Sequence, residues 1–507
     1  MRHRAPLFGP SPALSGHKEG DTLRYSVLVH LTKMARTLQE AALYIDTAPD
    51  GDPVCPELLS NGVKMLGQIR AAVEQHRDDL CDPVLLEHLS AAEALWEEGG
   101  DALQGALEAF AQALPNNNIR CQVRAVFFTG LGSTWDAMQS VYEYMRDDPR
   151  FDPVVVLIPV FRRVQQNGQV KQETTYTDYL TPMGIPFLEY NQYSLEQDCP
   201  DLAFINQPYE SVVPPPFWPE NIAKYTRLVY LPYFLPFLIL KEHKETLCQL
   251  GVYRYAWKVI GASERHRAFY SRYAANGGGN MLVTGMPKLD PIVHLRSCPA
   301  AMPVQWRNVI GGRKAFLWNT WYDYQRSSIP YFDVIVRWFR AHEDCALIWR
   351  PHPMTDTVIK LYYPSEVYAQ FQKCVKAAKE MPNIIFDEEV SFDAAFSCSV
   401  AQISDYSSLM CQYLPLDKPL LWIKNANQVR ELDQGTRGCF IDWHWVEEAE
   451  TSDDILKFLD RINVGIDKKA TVRAEVLKRD LPLADGHCGK RVCEALWDAM
   501  RSEDLIG

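Results

Sequence analysis

Two short segments carry residue types that could hold a phosphate group. The first is Arg350-Pro351-His352-Pro353. Each proline fixes its own φ and pushes the residue before it out of the helical region, so His352 is expected to be held extended. Arg350 beside it offers a fork of donors suited to phosphate oxygens. A plain turn with a surface arginine would use the same residues, and the types alone leave both readings open. The second segment is Ser404-Asp405-Tyr406-Ser407-Ser408, just before an apolar helical stretch from Leu409. A helix start offers free amide donors and the positive end of the dipole, and serine hydroxyls add donors to a bound phosphate. A carboxylate would repel a diphosphate, so Asp405 is expected to cap the helix or orient donors. Simple capping by Ser and Asp explains the residue types equally well.

The elements around these segments read as alternating strands and helices. Apolar runs Gln122–Phe128, Pro153–Pro159, Ala203–Asn206, Arg227–Leu231, Trp257–Gly261 and Met281–Gly285 form one series. After a linker at Ser297–Pro303, a second series runs through Ala315–Trp318, Ala346–Trp349, Asn383–Phe386, Ala401–Ile403 and Pro419–Trp422. Short apolar runs separated by helical segments are the mark of parallel β-α-β units. The economical fold is α/β, two Rossmann-like doubly wound domains, with ligands expected in the crevice at the carboxyl ends of the strands. Arg350 and Ser404 both stand at such ends.

Residues 20 to 115 have a different period. Leu31, Met34, Leu38, Ala41 and Ile45 fall on one helical face, as do Val63, Leu66, Ile69 and Val73. Val84, Leu85, Leu89, Ala92 and Leu95 form a third stripe, and Leu103, Leu107, Phe110 and Leu114 a fourth. A packed helical bundle is the plain reading; an arm for dimerisation or membrane docking is the functional one. The expected division is a helical segment over 1–118, a first Rossmann-like domain over 119–300 and a second over 301–507 with C-terminal helices.

A chain of 507 residues with 47% hydrophobic and 23% charged residues has material for two or three domains. The net charge of -12 argues against a nucleic-acid partner, which would need a basic footprint. The 13 cysteines include no C-x-x-C pair and read as mostly buried thiols in a reducing compartment. His487, Cys488 and Cys493 cluster without the spacing of a common metal site, so no metal is expected. The basic start lacks an apolar core and is not read as a secretory signal. Pro232 and Pro236 interrupt Leu228–Leu240, the longest apolar run, which falls short of a membrane span.

Taken together, the motifs resemble the CDP-glycerol glycerophosphotransferase family, the polymerases and primases of wall teichoic acid. The order is Phe316-Leu317-Trp318-Asn319-Thr320-Trp321-Tyr322-Asp323, then Arg350-Pro351-His352-Pro353, then Ser404-Asp405-Tyr406-Ser407-Ser408, then Asp417-Lys418-Pro419-Leu420-Leu421. Thr284-Gly285-Met286-Pro287-Lys288-Leu289-Asp290 resembles the family's T-G-x-P-R-x-D segment, and Arg437-Gly438-Cys439-Phe440-Ile441-Asp442 its later G-x-x-x-D element. The resemblance covers about residues 120 to 500. It implies a GT-B fold in a cytoplasmic bacterial enzyme, with the CDP-activated polyol held by the second domain and the acceptor approached from the first. The reaction it implies is displacement at the β-phosphorus, which releases CMP without metal or cofactor. Charge neutralisation must then come from the protein. By resemblance His352 and Arg350 are the catalytic candidates, and Ser407, Ser408, Asp405, Ser404 and Thr320 the donor-phosphate candidates. The acceptor is expected to be a lipid-linked species or a glycan. Peripheral contact with the inner face of the membrane and a homo-oligomer through the N-terminal helices are also compatible with the reading.

One departure stands out. Relatives carry a W-H-G-T-P segment whose histidine is the proposed general base, whereas the corresponding stretch here is Val229-Tyr230-Leu231-Pro232-Tyr233-Phe234-Leu235-Pro236. Tyr233, Glu210, Asp136 and the nearby His243 are the substitutes to weigh. Cys411-Gln412 also stands where relatives have Phe-Asp. Two alternatives stay open at this point: a GT-B glycosyltransferase using a nucleotide sugar, and a non-catalytic nucleotide-binding scaffold.

Overall fold

The computed structural model of the chain describes residues 22–80, 83–115, 119–166, 169–175, 177–235, 248–405, 407–426 and 440–506. Four helices come first: α1 Tyr25–Thr47, α2 Cys55–Gln75, α3 Pro83–Leu95 and α4 Gly100–Ala113. Leu31, Leu38, Ile69, Leu89 and Leu107 are buried in one cluster with Phe127, Phe204 and Val229 from the sheet that follows. The amphipathic stripes therefore form packed core, continuous with the first α/β domain. Val63 and Val84, counted in those stripes, are instead 51% and 43% exposed. Each sits at the edge of its stripe, where the helix surface already curves away from its neighbours.

The first sheet contains β1 Val123–Thr129, β2 Phe151–Leu157, β5 Leu188–Glu189, β6 Leu202–Ile205, β7 Arg227–Tyr230, β8 Lys258–Gly261 and β9 Met281–Val283. Its order is β5-β2-β1-β6-β7-β8-β9, parallel throughout. Between β2 and β5 an antiparallel ribbon intervenes, β3 Val160–Gln166 with β4 Gln169–Thr175. The sequence reading missed it, although Asn167-Gly168 between the strands is a strong hairpin signal.

The second sheet contains β10 Lys314–Thr320, β11 Cys345–Pro351, β12 Ile384–Phe386, β13 Ser399–Ser404, β14 Leu420–Ile423 and β15 Glu447–Ala449. Its order, β12-β11-β10-β13-β14-β15, is again parallel and reverses direction between β10 and β13. Trp318 and Trp349 stack at 5.1 Å beneath the ends of β10 and β11. Runs such as Ala315–Trp318 are wholly apolar because both faces of a parallel sheet are covered.

The chain ends by returning to the first domain. The helix Cys488–Arg501 places Val492, Cys493, Leu496 and Met500 in the same core as helix α5, Asp136–Asp147. Asp290 caps it, accepting the N–H groups of Cys488 and Gly489 at 2.9 and 2.8 Å. Gly489 permits the close crossing, since a Cβ there would lie 2.6 Å from the backbone of Ser140. Lys288, buried two residues before Asp290, pairs with Asp136 at 2.5 Å. The Thr284–Asp290 motif thus joins the last helix to the first domain.

Candidate active site

Register brings the two phosphate-type segments together. β10 and β11 align Asn319 with Arg350 and Thr320 with Pro351, while β10 and β13 align Asn319 with Ser404. Both segments emerge at the carboxyl edge of the sheet, flanking β10 at its switch point. In open α/β sheets that is where a ligand crevice forms.

His352 is fixed from two sides. Its N–H donates to the carbonyl of Thr320 at 2.9 Å, and its Nδ1 accepts the N–H of Met354 at 3.2 Å. The ring meets Tyr322 edge-on, with centroids 5.1 Å apart. Packing around the ring lowers its pKa to about 4. An accepted N–H at Nδ1 favours the same neutral state and puts the proton on Nε2. His352 is therefore a neutral Nε2–H donor at pH 7, with the residue open to solvent at the crevice.

Several candidate side chains have partners within the protein. Arg350 pairs with the buried Asp387 at 2.7 Å and donates to the carbonyls of Glu389 and Val390 at 2.9 and 3.2 Å. Its guanidinium pins the loop after β12, a use the sequence reading did not weigh. Ser404 and Asp405 are fully enclosed and Thr320 is 2% exposed, beneath the surface of the crevice. Ser404 donates to the Asp405 carbonyl at 2.9 Å. Thr320 Oγ1 faces Trp349 Nε1 at 3.4 Å.

Asp405 instead orders the loop after β10. One carboxylate oxygen accepts the Trp321 N–H at 2.8 Å; the other accepts the Ser328 N–H and hydroxyl at 2.7 and 3.0 Å. Trp318 Nε1 donates to the same Ser328 hydroxyl at 2.9 Å. Burial raises the Asp405 pKa to about 7, offset in part by these donors. Among the described residues of their segment, Ser407 and Ser408 are the accessible ones. Ser407 Oγ accepts the Leu409 N–H at 3.2 Å, and Ser408 is exposed beside the start of the short helix Leu409–Tyr413. Gln412, at the departure noted beside this segment, is 3% exposed.

Across the crevice, burial raises the Tyr233 pKa, with Tyr209 alongside raising it further. That phenol stays protonated and makes a poor base. Asp136 is engaged by Lys288 and is not a free base either. Glu210 follows β6 with its carboxylate against Gly251, where a Cβ would lie 2.3 Å from Oε1. His243, Tyr406 and Arg437–Cys439 lie outside the described residues. Phe440, within the last motif, meets the first domain: His266 stacks on it at 4.1 Å, and Arg265 donates to its carbonyl at 3.2 Å. Arg265 also pairs with Asp480 at 2.9 Å.

Beside His352 lies a cavity of 660 Å³, walled by Tyr322, Asp323, Gln325, Met354, Tyr362 and Tyr363 among others. Tyr322 and Asp323 close the motif Phe316–Asp323, and residue type alone gives them no role. Tyr363 comes from the break between two helices and donates its hydroxyl to Asp323. Among the described residues no group of three His, Cys, Asp or Glu could hold a metal, and no helix is long and apolar enough to cross a membrane.

The family model described as CDP-glycerol:poly(glycerophosphate) glycerophosphotransferase matches residues 241–498. No curated protein matches the sequence. Among solved structures, a Listeria monocytogenes protein assigned as a UDP-N-acetylglucosamine 2-epimerase aligns with TM-score 0.52 and 11% identity, over 75% of this chain and 98% of that one. A variant of the wall teichoic acid polymerase TagF aligns with TM-score 0.50 and 11% identity, over 75% of this chain and 90% of that one. At such identity the likeness is one of fold, and the fold is GT-B-like.

Proposed function

The chain belongs to the CDP-glycerol:poly(glycerophosphate) glycerophosphotransferase family and moves a polyol phosphate from a CDP-activated donor; from that premise we propose how its own residues serve the reaction. The donor diphosphate lies over the ends of β11, β10 and β13. His352 donates from Nε2, and Ser407, Ser408 and the amides around them supply further donors. An acceptor oxygen attacks the β-phosphorus, the bond from that phosphorus to the bridging oxygen breaks, and CMP leaves with the electron pair. The acceptor proton passes to a base on the first-domain side, and Glu210 is the carboxylate best suited to receive it. Asp405 and Arg350 are positioning residues. The observation that supports this reading is the register that aligns β10 with Pro351, just before His352, on one side and with Ser404 on the other, at one switch point.

The acceptor is a hydroxyl of a lipid-linked or glycan chain, met at the inner face of the membrane by a peripheral enzyme. Pairing of protomers through the N-terminal helices is compatible with this. The test is CMP release from CDP-glycerol and CDP-ribitol, with UDP- and GDP-sugars as controls and a membrane extract as acceptor. Release that needs both the extract and His352 supports the reading. A nucleoside diphosphate released from a sugar donor would point to glycosyl transfer. Donor binding without turnover would favour a nucleotide-binding scaffold, the alternative that the protonated Tyr233 keeps in view.

A further inference from the structure

The chain passes between the two domains twice, first between β9 and β10 and again between the helices Ala470–Asp480 and Cys488–Arg501. Beside the second crossing the domains touch. Arg265 and His266 lie in the first turn of the helix Glu264–Tyr273, which follows β8 at the carboxyl edge of the first sheet. Facing them are two groups of the second domain. Asp480 ends a helix anchored to Asp417 through Arg473, and Phe440 lies shortly before β15. Arg265 Nε stands 2.9 Å from Asp480 and 3.2 Å from the Phe440 carbonyl, while the His266 ring stacks on Phe440 with planes 12° apart.

The polar half of this contact can open cheaply. Asp480 is enclosed, but Arg265 is one of several donors to it. Arg479 donates from Nε and Nη2 at 2.7 and 2.8 Å, and the Asp442 N–H donates at 2.7 Å. Those donors all come from the second domain, so the carboxylate keeps them when Arg265 leaves. The Arg265 side chain is 50% exposed and is readily rehydrated. Opening therefore strands no buried charge, which is what makes the loss of most enclosed ion pairs costly.

The aromatic half resists opening. His266 is 5% and Phe440 2% exposed, and separating them returns two ring faces to water. His266 Nδ1 accepts the Ala262 N–H at 3.1 Å, so the ring stacks in its neutral form. Burial lowers its pKa to about 3, in keeping with that state. The contact is adhesive and also releasable. Its position beside a crossing gives it leverage, because a small shift near a hinge becomes a larger one at the far lip of a crevice.

We propose that Arg265, acting through Phe440 and Asp480, is a positioning residue that clamps the hinge and sets the angle between the two domains. His352, Ser407 and Ser408 all lie in the second domain, whereas Glu210 lies in the first. The angle therefore governs transfer to the acceptor and leaves capture of the donor alone. That division of sides rests on the phosphotransferase reading; the clamp itself does not.

The test uses the full chain with Arg265→Lys, Arg265→Ala and Arg265→Glu. Opening is read without turnover, by hydrogen exchange with mass spectrometry and by small-angle scattering. Exchange over residues 262–273 and 440–446 is expected to quicken, and the radius of gyration to grow, in the order Lys, Ala, Glu. Lysine keeps the charge without the planar fork, and glutamate repels Asp480. Exchange in β10, β11 and β13 should match the wild type. In turnover assays, kcat for acceptor-dependent CMP release should fall roughly five-fold in Arg265→Ala, as for loss of one exposed charge contact. The CDP-glycerol Kd from calorimetry should stay unchanged, and Arg265→Lys should recover part of the rate. Identical exchange and scattering in all three variants would overturn the clamp. So would quickening spread evenly through the second sheet, the mark of general destabilisation, or a donor Kd that rises in step with the loss of kcat. If the exchange series holds while the wild type releases no CMP, the clamp stands and the phosphotransferase reading falls.

Discussion

The carboxylate of Asp405 accepts both the backbone N–H and the hydroxyl of Ser328, at 2.7 and 3.0 Å. With Trp321 held by the other oxygen, both ends of the loop carrying Tyr322, Asp323 and Gln325 hang on one enclosed carboxylate. Asp405→Asn cannot accept at both oxygens, so at least one buried donor loses its partner at about 1–3 kcal/mol. The variant is expected to lose that much stability, measured by urea unfolding, and to lose kcat with it.

The same residue has a pH signature. Its pKa is raised to about 7 when folded, above the ordinary carboxylate value. The folded chain keeps a proton that the unfolded chain has released, so this contribution to stability is full below the ordinary value. It is lost as pH rises through about 7. The wild type should therefore lose more stability than Asp405→Asn between pH 5 and pH 8. Equal losses in unfolding midpoints would show that Asp405 does not titrate in this window.

His352 is neutral with its proton on Nε2, so the reaction should not require an imidazolium. The rate per donor, kcat/KM for CDP-glycerol, is expected to hold between pH 6.5 and 8. A charged ring would instead cause a fall of about ten-fold per pH unit above the ordinary histidine value. His352→Ala should abolish CMP release and leave the circular dichroism spectrum unchanged. Retained turnover would remove His352 from the mechanism.

Arg350 and Asp387 form a pair with side chains 11% and 0% exposed. Arg350→Ala leaves Asp387 uncompensated in the interior and should cost about 3–5 kcal/mol. The thermal midpoint should fall clearly. Arg350→Ala with Asp387→Asn should recover part of it, because the stranded charge is gone. A large loss of activity at unchanged stability would argue instead that Arg350 touches substrate.

Ser407→Ala with Ser408→Ala removes two hydroxyls from the accessible end of the segment. Donor KM should rise about ten-fold, as expected for one or two hydrogen bonds to a charged group. Unchanged donor affinity would reduce these serines to shaping the start of the helix Leu409–Tyr413.

Glu210→Gln tests the acceptor side. The amide cannot take a proton, so kcat should fall by roughly 10²–10⁴-fold with donor binding preserved. A Gly251→Ala change, which pushes a methyl toward Oε1, should lower kcat in the same direction by displacing the carboxylate. Full activity in Glu210→Gln would remove Glu210 from the mechanism.

Sequence alone determined the layered plan of this protein. Wholly apolar runs such as Ala346–Trp349 could only be central parallel strands, and their ends located Arg350 and Ser404 within a residue of where the sheet stops. Motif order carried the family. What tertiary structure decided was the employment of each polar side chain, because residue type does not reveal which way a side chain faces or what meets it. Arg350, chemically suited to phosphate, binds Asp387, 37 residues later in the chain. Asp405, adjacent to two accessible serines, turns inward to Ser328, 77 residues earlier. Tyr363 becomes a neighbour of Asp323 only because two helices break between β11 and β12 at the right height. Such pairings are long-range, and local spacing, which sets strands and helices, carries no information about them.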